Sequence, residues 1–475
     1  MDIEAFLRIE EKYGLNRLKY DGVSYWTYNR FYLWNYDICS QKLNLEEAHN
    51  KVKVSLKLLF NLAFFYLNSG KKPFQNDILV LNHNRRSFNG KTYDCIYTDC
   101  IVDNTYSAFF VEAPYQYTHF RPSTSKNVYY TDRLVINSLI YEKLYKIIHK
   151  KKYNRMLSDI QNAINEAVEE LKNEYGWEGS ASSISRKCAE KVLRCNYERK
   201  YYQKIIKKVN PKMIMEVVNY GRACMLINEI AKEMNIPSVE LQHGTMYKEH
   251  AGYQYPKGER INQLPNKLFV FSDFWKKCIS FPIGDENIII TGFPNYERKR
   301  ERYNDIVRED KRKTIIFISQ GTIGKQLCLL AAELSAKLNP DEYRVIYKLH
   351  PAEYETWRED MPCLAEASVE VIDNRGVDLY ELFAQSDIQI GAYSTAMFEG
   401  MGFGLRTFIY NVGHYDIMLP LIEQGYAELV TSAKECVKLI NEDKSGNIDG
   451  SMFWKRNALE NIRTEINAII NKSEG

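Results

Sequence analysis

Between residues 212 and 410 the chain alternates short apolar runs with helix-length amphipathic stretches, and no other feature narrows its fold as far. The runs are KMIMEVV, PSVELQ, KLFVFS, NIIITG, TIIFIS, RVIYKLHP, VEVID, DIQIGA and RTFIYN. Each has the length and composition of a strand, and a helical pattern through Met234 fills one of the gaps. Strands alternating with helices build parallel sheets covered by helices. Two earlier runs, DILVL at 77–81 and SAFFVE at 107–112, place the start of a sheet near residue 77. Ahead of them the pattern is mostly helical, as in Leu43 to Leu67 behind a cap at Asn44. Asp159 to Tyr175 carries Ile160, Ile164, Val168 and Leu171 on one stripe, which reads as a helix covering that sheet.

The alternation is broken once. ERKRERYNDIVREDKRK, between NIIITG and TIIFIS, is charged throughout and shows no buried face, so it reads as a connection between two domains. The expected organisation is a helical extension over 1–75, a Rossmann-like domain over 76–295 and the connection over 296–313. A second Rossmann-like domain follows over 314–445, then a C-terminal helix over 446–475, with Phe453 to Ile470 as its amphipathic part. The fold class is α/β: two doubly wound domains facing a cleft at the carboxyl ends of both sets of strands, where ligands bind in such sheets.

With 475 residues, 45% of them apolar, the chain is too long for one ordinary core and too apolar to be disordered. Its 64 Lys and Arg against 61 Asp and Glu leave a net charge of +3, which argues against duplex nucleic acid as the partner. Ten cysteines lie without a C-x-x-C pair or a Cys and His cluster, which fits reduced thiols in a cytosol. The first residues, MDIEAFLRIEEKYG, are acidic where a signal peptide is basic, and no secretion signal is expected. The most apolar window, Val54 to Leu67, contains Lys57 and Asn61 and is shorter than the roughly 20 residues of a membrane span. A cytoplasmic location is therefore expected. The basic runs KIIHKKKYNR and RKYYQKIIKK read either as solvated faces or as an attraction to anionic lipid at the inner membrane surface, or to a polyanionic acceptor.

Four segments follow strands where a cleft would need them. Gln242-His243-Gly244-Thr245 puts an imidazole of ordinary near-neutral pKa at a strand end, suited to act as general base for an acceptor hydroxyl. Lys348-Leu349-His350-Pro351 sets a second imidazole where proline stops a strand, suited to stabilise a departing phosphate. Tyr393-Ser394-Thr395 brings two hydroxyls to a helix N-terminus, a ready site for phosphate oxygens, with Glu399 one turn on to accept ribose hydroxyls or merely face solvent. Ser319-Gln320-Gly321-Thr322 is a small polar turn that could lie along a nucleotide. Glu112, at the end of SAFFVE, is the alternative base, or else a surface residue; His83 with Arg85 and Arg86 reads equally as a contact for an anionic acceptor or a solvated loop.

This ordered set resembles the CDP-glycerol glycerophosphotransferases, the teichoic acid polymerases. Their pattern of His-Gly-Thr, Gly-x-Pro, His-Pro and Tyr-Ser-Ser with a following acid matches His243-Gly244-Thr245, Gly292-Phe293-Pro294, His350-Pro351 and Tyr393-Ser394-Thr395 with Glu399. It is also similar to the bacterial sialyl-, polysialyl- and Kdo transferases of capsule synthesis, across roughly residues 212 to 430. Gln242 departs from the aromatic residue of the first pattern, and no acidic pair followed by Gly, the sialyltransferase motif, is present. The resemblance implies a glycosyltransferase or polyol-phosphate transferase of GT-B fold, with a cytidine-activated sugar or polyol donor as substrate, no separate cofactor and no obligatory metal. It implies His243 as base, His350 as donor-phosphate ligand and Ser394 with Thr395 as a second clamp. The partners expected are the nucleotide-activated donor and a saccharide or lipid-linked acceptor. Two rival readings remain: a nucleotide-sugar 2-epimerase, which would need no acceptor, and a non-catalytic polysaccharide-binding assembly protein.

Overall fold

The computed structural model describes residues 2–38, 56–115, 118–374, 376–413, 415–442 and 449–472. Among these residues fifteen strands form two large sheets and one hairpin. The chain enters the first sheet at β1 (Ile78–Leu81), then makes the hairpin β2 (Arg86–Phe88) and β3 (Tyr93–Cys95) before β4 (Ala108–Glu112) and β5 (Val128–Tyr130). After three long helices come β6 (Met213–Val217), β7 (Ser238–Leu241), β8 (Lys267–Val270) and β9 (Ile288–Ile290). The seven strands lie parallel in the order β5-β4-β1-β6-β7-β8-β9.

The second sheet holds β10 (Lys313–Ile318), β11 (Tyr343–Lys348), β12 (Glu370–Ile372), β13 (Ile388–Gly391), β14 (Arg406–Tyr410) and β15 (Glu428–Val430), parallel in the order β12-β11-β10-β13-β14-β15. The nine apolar runs after residue 212 are thus β6 to β14. In both sheets the order reverses beside the first strand, between β1 and β6 and between β10 and β13. The carboxyl ends of strands at such a reversal leave the crevice in which doubly wound folds bind ligands.

Side chains alternate across the first sheet with the two-residue period of a strand. Ile78, Val80, Phe110, Met213 and Met215 join a core shared with the second sheet. Leu79, Leu81, Phe109, Val111 and Ile214 join another, under the helices Lys150–Tyr175 and Ala181–Val209. The expected stripe of Ile160, Ile164, Val168 and Leu171 is buried there. The first of these helices stops at Gly176 (φ 64°) and the second at Asn210 (φ 45°) ahead of Pro211, left-handed positions that no helix continues through.

Three expectations need correction. The N-terminal residues are not a helical appendage: after a helix at Ile3–Lys12 the chain turns irregularly and buries Trp26, Tyr28, Arg30 and Trp34 against the first domain. Of the helix expected over Leu43 to Leu67, Leu56–Leu67 is observed and residues 43–55 lie outside the described residues. The charged connection does have a buried face: Pro294–Arg302 is a helix whose Tyr296 stacks on Trp454 at 4.4 Å, and Tyr303 is buried after it. The C-terminal helix begins at Ala458 rather than Phe453, because Asn457 takes a left-handed φ of 58° and the Glu297 carboxylate caps the new helix by accepting from the Asn457 and Ala458 N–H groups. It crosses back onto the first domain, where Tyr106 donates to Asn467 Oδ1 and Arg463 to the Ile101 carbonyl.

The N-terminal segment is pinned by a buried ion pair. Glu10 accepts from Trp26 Nε1 at 2.7 Å and from Arg30 Nε at 2.9 Å and Nη2 at 2.7 Å, while Arg30 also donates to the Ala251 and Gln254 carbonyls and lies over the Tyr255 ring. Removing one member of such a pair strands a charge out of water, at a cost of about 3–5 kcal/mol. Glu10→Ala should lower the folding free energy by that amount in urea titration. Lys12→Ala, which removes an exposed partner of Glu170, should leave the midpoint nearly unchanged. Equal effects of the two would contradict this.

Candidate functional site

The site lies where the two strand-order reversals face each other. On the second-sheet wall, the turns after β10 and β13 are tied together: Tyr393 N–H donates to Gln320 Oε1 at 3.1 Å, and the Thr322 and Tyr393 hydroxyls are 2.8 Å apart. Ser394 caps the helix Thr395–Gly402 by accepting from the Ala396 N–H, so its oxygen is committed to the helix and Thr395 stands at the open first turn. After β11, the Ala352 N–H donates to His350 Nδ1 at 3.2 Å. That bond leaves the proton of a neutral His350 on Nε2. Burial, and then the charge of Arg85, hold its pKa below the ordinary histidine value, so the ring is a neutral donor near pH 7. Gly321 is beside it; a Cβ there would sit 3.8 Å from His350 Nδ1.

On the first-sheet wall, His243 follows β7 with both ring nitrogens engaged. Nδ1 is 3.2 Å from the Tyr253 hydroxyl and Nε2 is 3.0 Å from the Tyr220 hydroxyl. Tyr253 donates its own proton to Glu240 Oε1 at 2.6 Å, so Nδ1 is the donor to Tyr253 and Nε2 is left unprotonated, accepting from Tyr220. Burial first, then His83, His250 and Arg85, push the His243 pKa well down. The near-neutral value expected of a histidine at a strand end is therefore wrong for this one. Burial raises the Glu240 pKa to about 7. Phe31 of the N-terminal segment stacks on Tyr220 with ring centroids 3.9 Å apart, so that segment backs the site directly.

The walls meet at Gly244 and Thr395. A Cβ on Gly244 would lie 3.5 Å from Thr395 Oγ1, so the residue after the histidine passes close to the helix that carries the hydroxyl pair. Glu399 is 7% exposed and hydrogen-bonded to Tyr380, which removes the reading of a solvated helix face; burial raises its pKa while Arg85 opposes the rise. His83 lies 6.2 Å from His243, ring to ring, with its pKa lowered to about 4 by burial and then by Arg85 and Arg86.

Glu112 is kept apart from this group. It ends β4, three strand spacings or roughly 14 Å from β7. It is 2% exposed and bound to Arg86 and to His119 Nδ1 at 2.7 Å, with Asp132 2.8 Å from the other ring nitrogen. A carboxylate so paired is neither a surface residue nor an open base. Sequence reasoning missed Tyr220, Tyr253 and Glu240, and gave no weight to Tyr97, whose hydroxyl donates to the His243 carbonyl at 2.5 Å. Glu240 carried a signal: a carboxylate inside the apolar run PSVELQ has to be buried and hydrogen-bonded. Among the described residues no group of three or more His, Cys, Asp and Glu side chains is placed to hold a metal ion.

Several solved structures are similar to the chain at low identity. The wall teichoic acid polymerase TagF is 12% identical, with a TM-score of 0.44 over 88% of this chain and 95% of its own. The UDP-GlcNAc 2-epimerase of Methanocaldococcus jannaschii is 12% identical, with a TM-score of 0.42 over 58% of this chain and 82% of its own. That of Neisseria meningitidis bound to UDP-GlcNAc is 13% identical, with a TM-score of 0.41 over 58% and 82%. No curated protein matches the chain in sequence. The model of the CDP-glycerol:poly(glycerophosphate) glycerophosphotransferase family matches residues 135–410, more than half the chain, a span that contains His243, His350, Ser394, Thr395 and Glu399. The chain belongs to that family of transferases.

Proposed function

We propose that the protein transfers a polyol-phosphate or sugar unit from a cytidine-activated donor, CDP-polyol or CMP-sugar, to a saccharide or lipid-linked acceptor during assembly of a surface polymer such as a capsule. The observation that carries this reading is the placement of a neutral His243, whose Nε2 accepts a hydrogen bond, on one wall, with the His350 Nε2–H and the helix N-terminus at Thr395, groups suited to phosphate oxygens, on the other. The family match supports the CDP-polyol form, which is the one developed below.

The acceptor oxygen attacks the donor phosphorus that carries the polyol, and a new P–O bond forms as the bridging P–O bond breaks. CMP leaves with the electron pair, its charge met by hydrogen bonds from His350 and the Thr395 helix N-terminus. The acceptor's proton passes through the Tyr220 oxygen, which gives its own proton to His243 Nε2 as it takes the new one. Ionised Glu240 holds Tyr253 as its donor and so keeps the His243 proton on Nδ1.

No described helix is long and apolar enough to cross a membrane. The helix Asp132–Ile148 nevertheless ends with Ile147 75% and Ile148 68% exposed, next to the exposed Lys150, Lys151 and Lys152. That pairing of apolar and basic side chains supports peripheral contact with an anionic membrane, which would place the enzyme beside a lipid-linked acceptor.

Calorimetry should show tighter binding of CDP or CMP than of UDP, and transfer should survive a chelator; equal UDP affinity or loss of activity in chelator would count against the donor assignment. His243→Ala should cut kcat by about 10² to 10⁴ with nucleotide affinity nearly unchanged, whereas His350→Ala should weaken the nucleotide as well. Tyr220→Phe should slow turnover too. On acidification, protonation of Glu240 near pH 7 comes before that of His243, whose pKa is lower, so the acid limb of kcat/KM should lie near 7 and be absent in Glu240→Gln. Full activity in His243→Ala would remove His243 as the base. Ile147→Ser with Ile148→Ser should reduce co-sedimentation with phosphatidylglycerol vesicles, and unchanged sedimentation would remove the membrane contact.

A further inference from the structure

β1 is followed by two arginines with opposite surroundings. Arg86 is turned inward, 1% exposed, and paired with Glu112 and with Asp99 at 3.7 Å. Its charge is used within the first domain. Arg85 remains open to solvent, and among the described residues no carboxylate lies within ion-pair distance of it. Its side-chain hydrogen bond is from Nη1 to the Tyr97 hydroxyl at 3.1 Å. Tyr97 in turn donates to the His243 carbonyl, so one ring fastens this guanidinium to the proton-accepting segment. The Arg85 backbone N–H donates to His83 Nδ1 at 3.0 Å, which fixes the turn from the other side. The charge reaches both walls: it depresses the titration of His243 and of His350, and it acts on buried Glu399.

The second-sheet wall has donors but little charge, since His350 is neutral and Ser394 and Thr395 are hydroxyls. A phosphate entering the cleft would lose water on all sides and gain no counterion from that wall. A guanidinium carries five N–H donors in a fixed fork that fits phosphate oxygens, and four of those on Arg85 are not used in the bond to Tyr97. An enclosed charge needs a partner, and open solvent serves Arg85 only until a ligand fills the cleft.

We infer that Arg85 is the positive clamp for a phosphate oxyanion held between the two walls, the first domain's contribution to a site otherwise built from the second. Arg85 lies outside the span matched by the family model, so the match assigns it nothing. The inference rests on the proposed cleft but not on the identity of the nucleoside. The phosphate is either the donor's or one carried by the acceptor, and the two are separable.

The test is calorimetry of wild type, Arg85→Gln and Arg85→Lys with CDP and with pyrophosphate, beside the KM for a glycerophosphate-ended acceptor. A tenfold or greater loss of CDP and pyrophosphate affinity in Arg85→Gln, partly restored in Arg85→Lys, is the result expected for the donor phosphate. Unchanged CDP affinity with a tenfold rise in acceptor KM gives the same clamp to the acceptor's phosphate. Pyrophosphate binding that depends on Arg85 supports the clamp even if cytidine is not preferred over uridine, which separates it from the donor assignment. Unchanged affinities and KM in Arg85→Gln, or no wild-type binding of either anion, would overturn it.

Discussion

The whole site depends on two sheets being held with their strand ends face to face, and a seam of aromatic side chains from both domains does the holding. Trp275, after β8, packs on Phe398 of the helix after β13 with centroids 4.6 Å apart, and Phe271 stacks on Phe293 at 4.7 Å. Phe453 and Trp454, just ahead of the C-terminal helix, close the seam. Its indole N–H groups are satisfied across the same boundary: Trp275 Nε1 donates to the Phe453 carbonyl and Trp454 Nε1 to the Phe398 carbonyl. Large apolar rings whose N–H groups have partners pack firmly and in one register. The close pass of Gly244 by Thr395 follows from that register. Gly292 serves it too, since a Cβ there would meet the Lys455 carbonyl at 2.2 Å, and its φ of 96° suits glycine.

Within this frame the histidines are set by hydrogen bonds rather than by their intrinsic chemistry. Backbone N–H groups from Arg85, His250's own turn and Ala352 donate to the Nδ1 atoms of His83, His250 and His350. Of these four, only His243 has its Nδ1 against a side-chain hydroxyl backed by a carboxylate. Imidazoles of one intrinsic pKa thereby divide into donors at Nε2 and one acceptor at Nε2. Low-dielectric surroundings keep all four neutral, helped by the charge of Arg85 at His83, His243 and His350 and by that of Arg30 at His250, as the proposed transfer requires of its base.

The sheets were legible because parallel strands buried on both faces announce themselves as continuous apolar runs, and β6 to β14 are such runs. β5 and β15 escaped notice because they are three-residue edge strands without the run of isoleucines that marks β9, an edge strand of the same length, and β2 and β3 because the hairpin is polar. The motif residues His243, His350, Ser394 and Thr395 were legible from their position after strands. Their partners were not, because Tyr220, Tyr253 and Tyr97 arrive from separate loops, and in a chain with 35 tyrosines no single one stands out. Arg85 and Arg86 look alike in sequence; only the three-dimensional position of Glu112 shows which of them is already neutralised.

On the proposed function, a cytidine nucleotide lies in the cleft with its phosphates between the two walls. A crystal structure of the protein with CDP tests it directly. Phosphate density is expected between the Arg85 guanidinium, His350 Nε2 and the N-terminus of the Thr395 helix, with His243 on the far side of the β-phosphate. Density elsewhere on the surface, or a nucleotide whose phosphates face away from both His350 and Thr395, would contradict it.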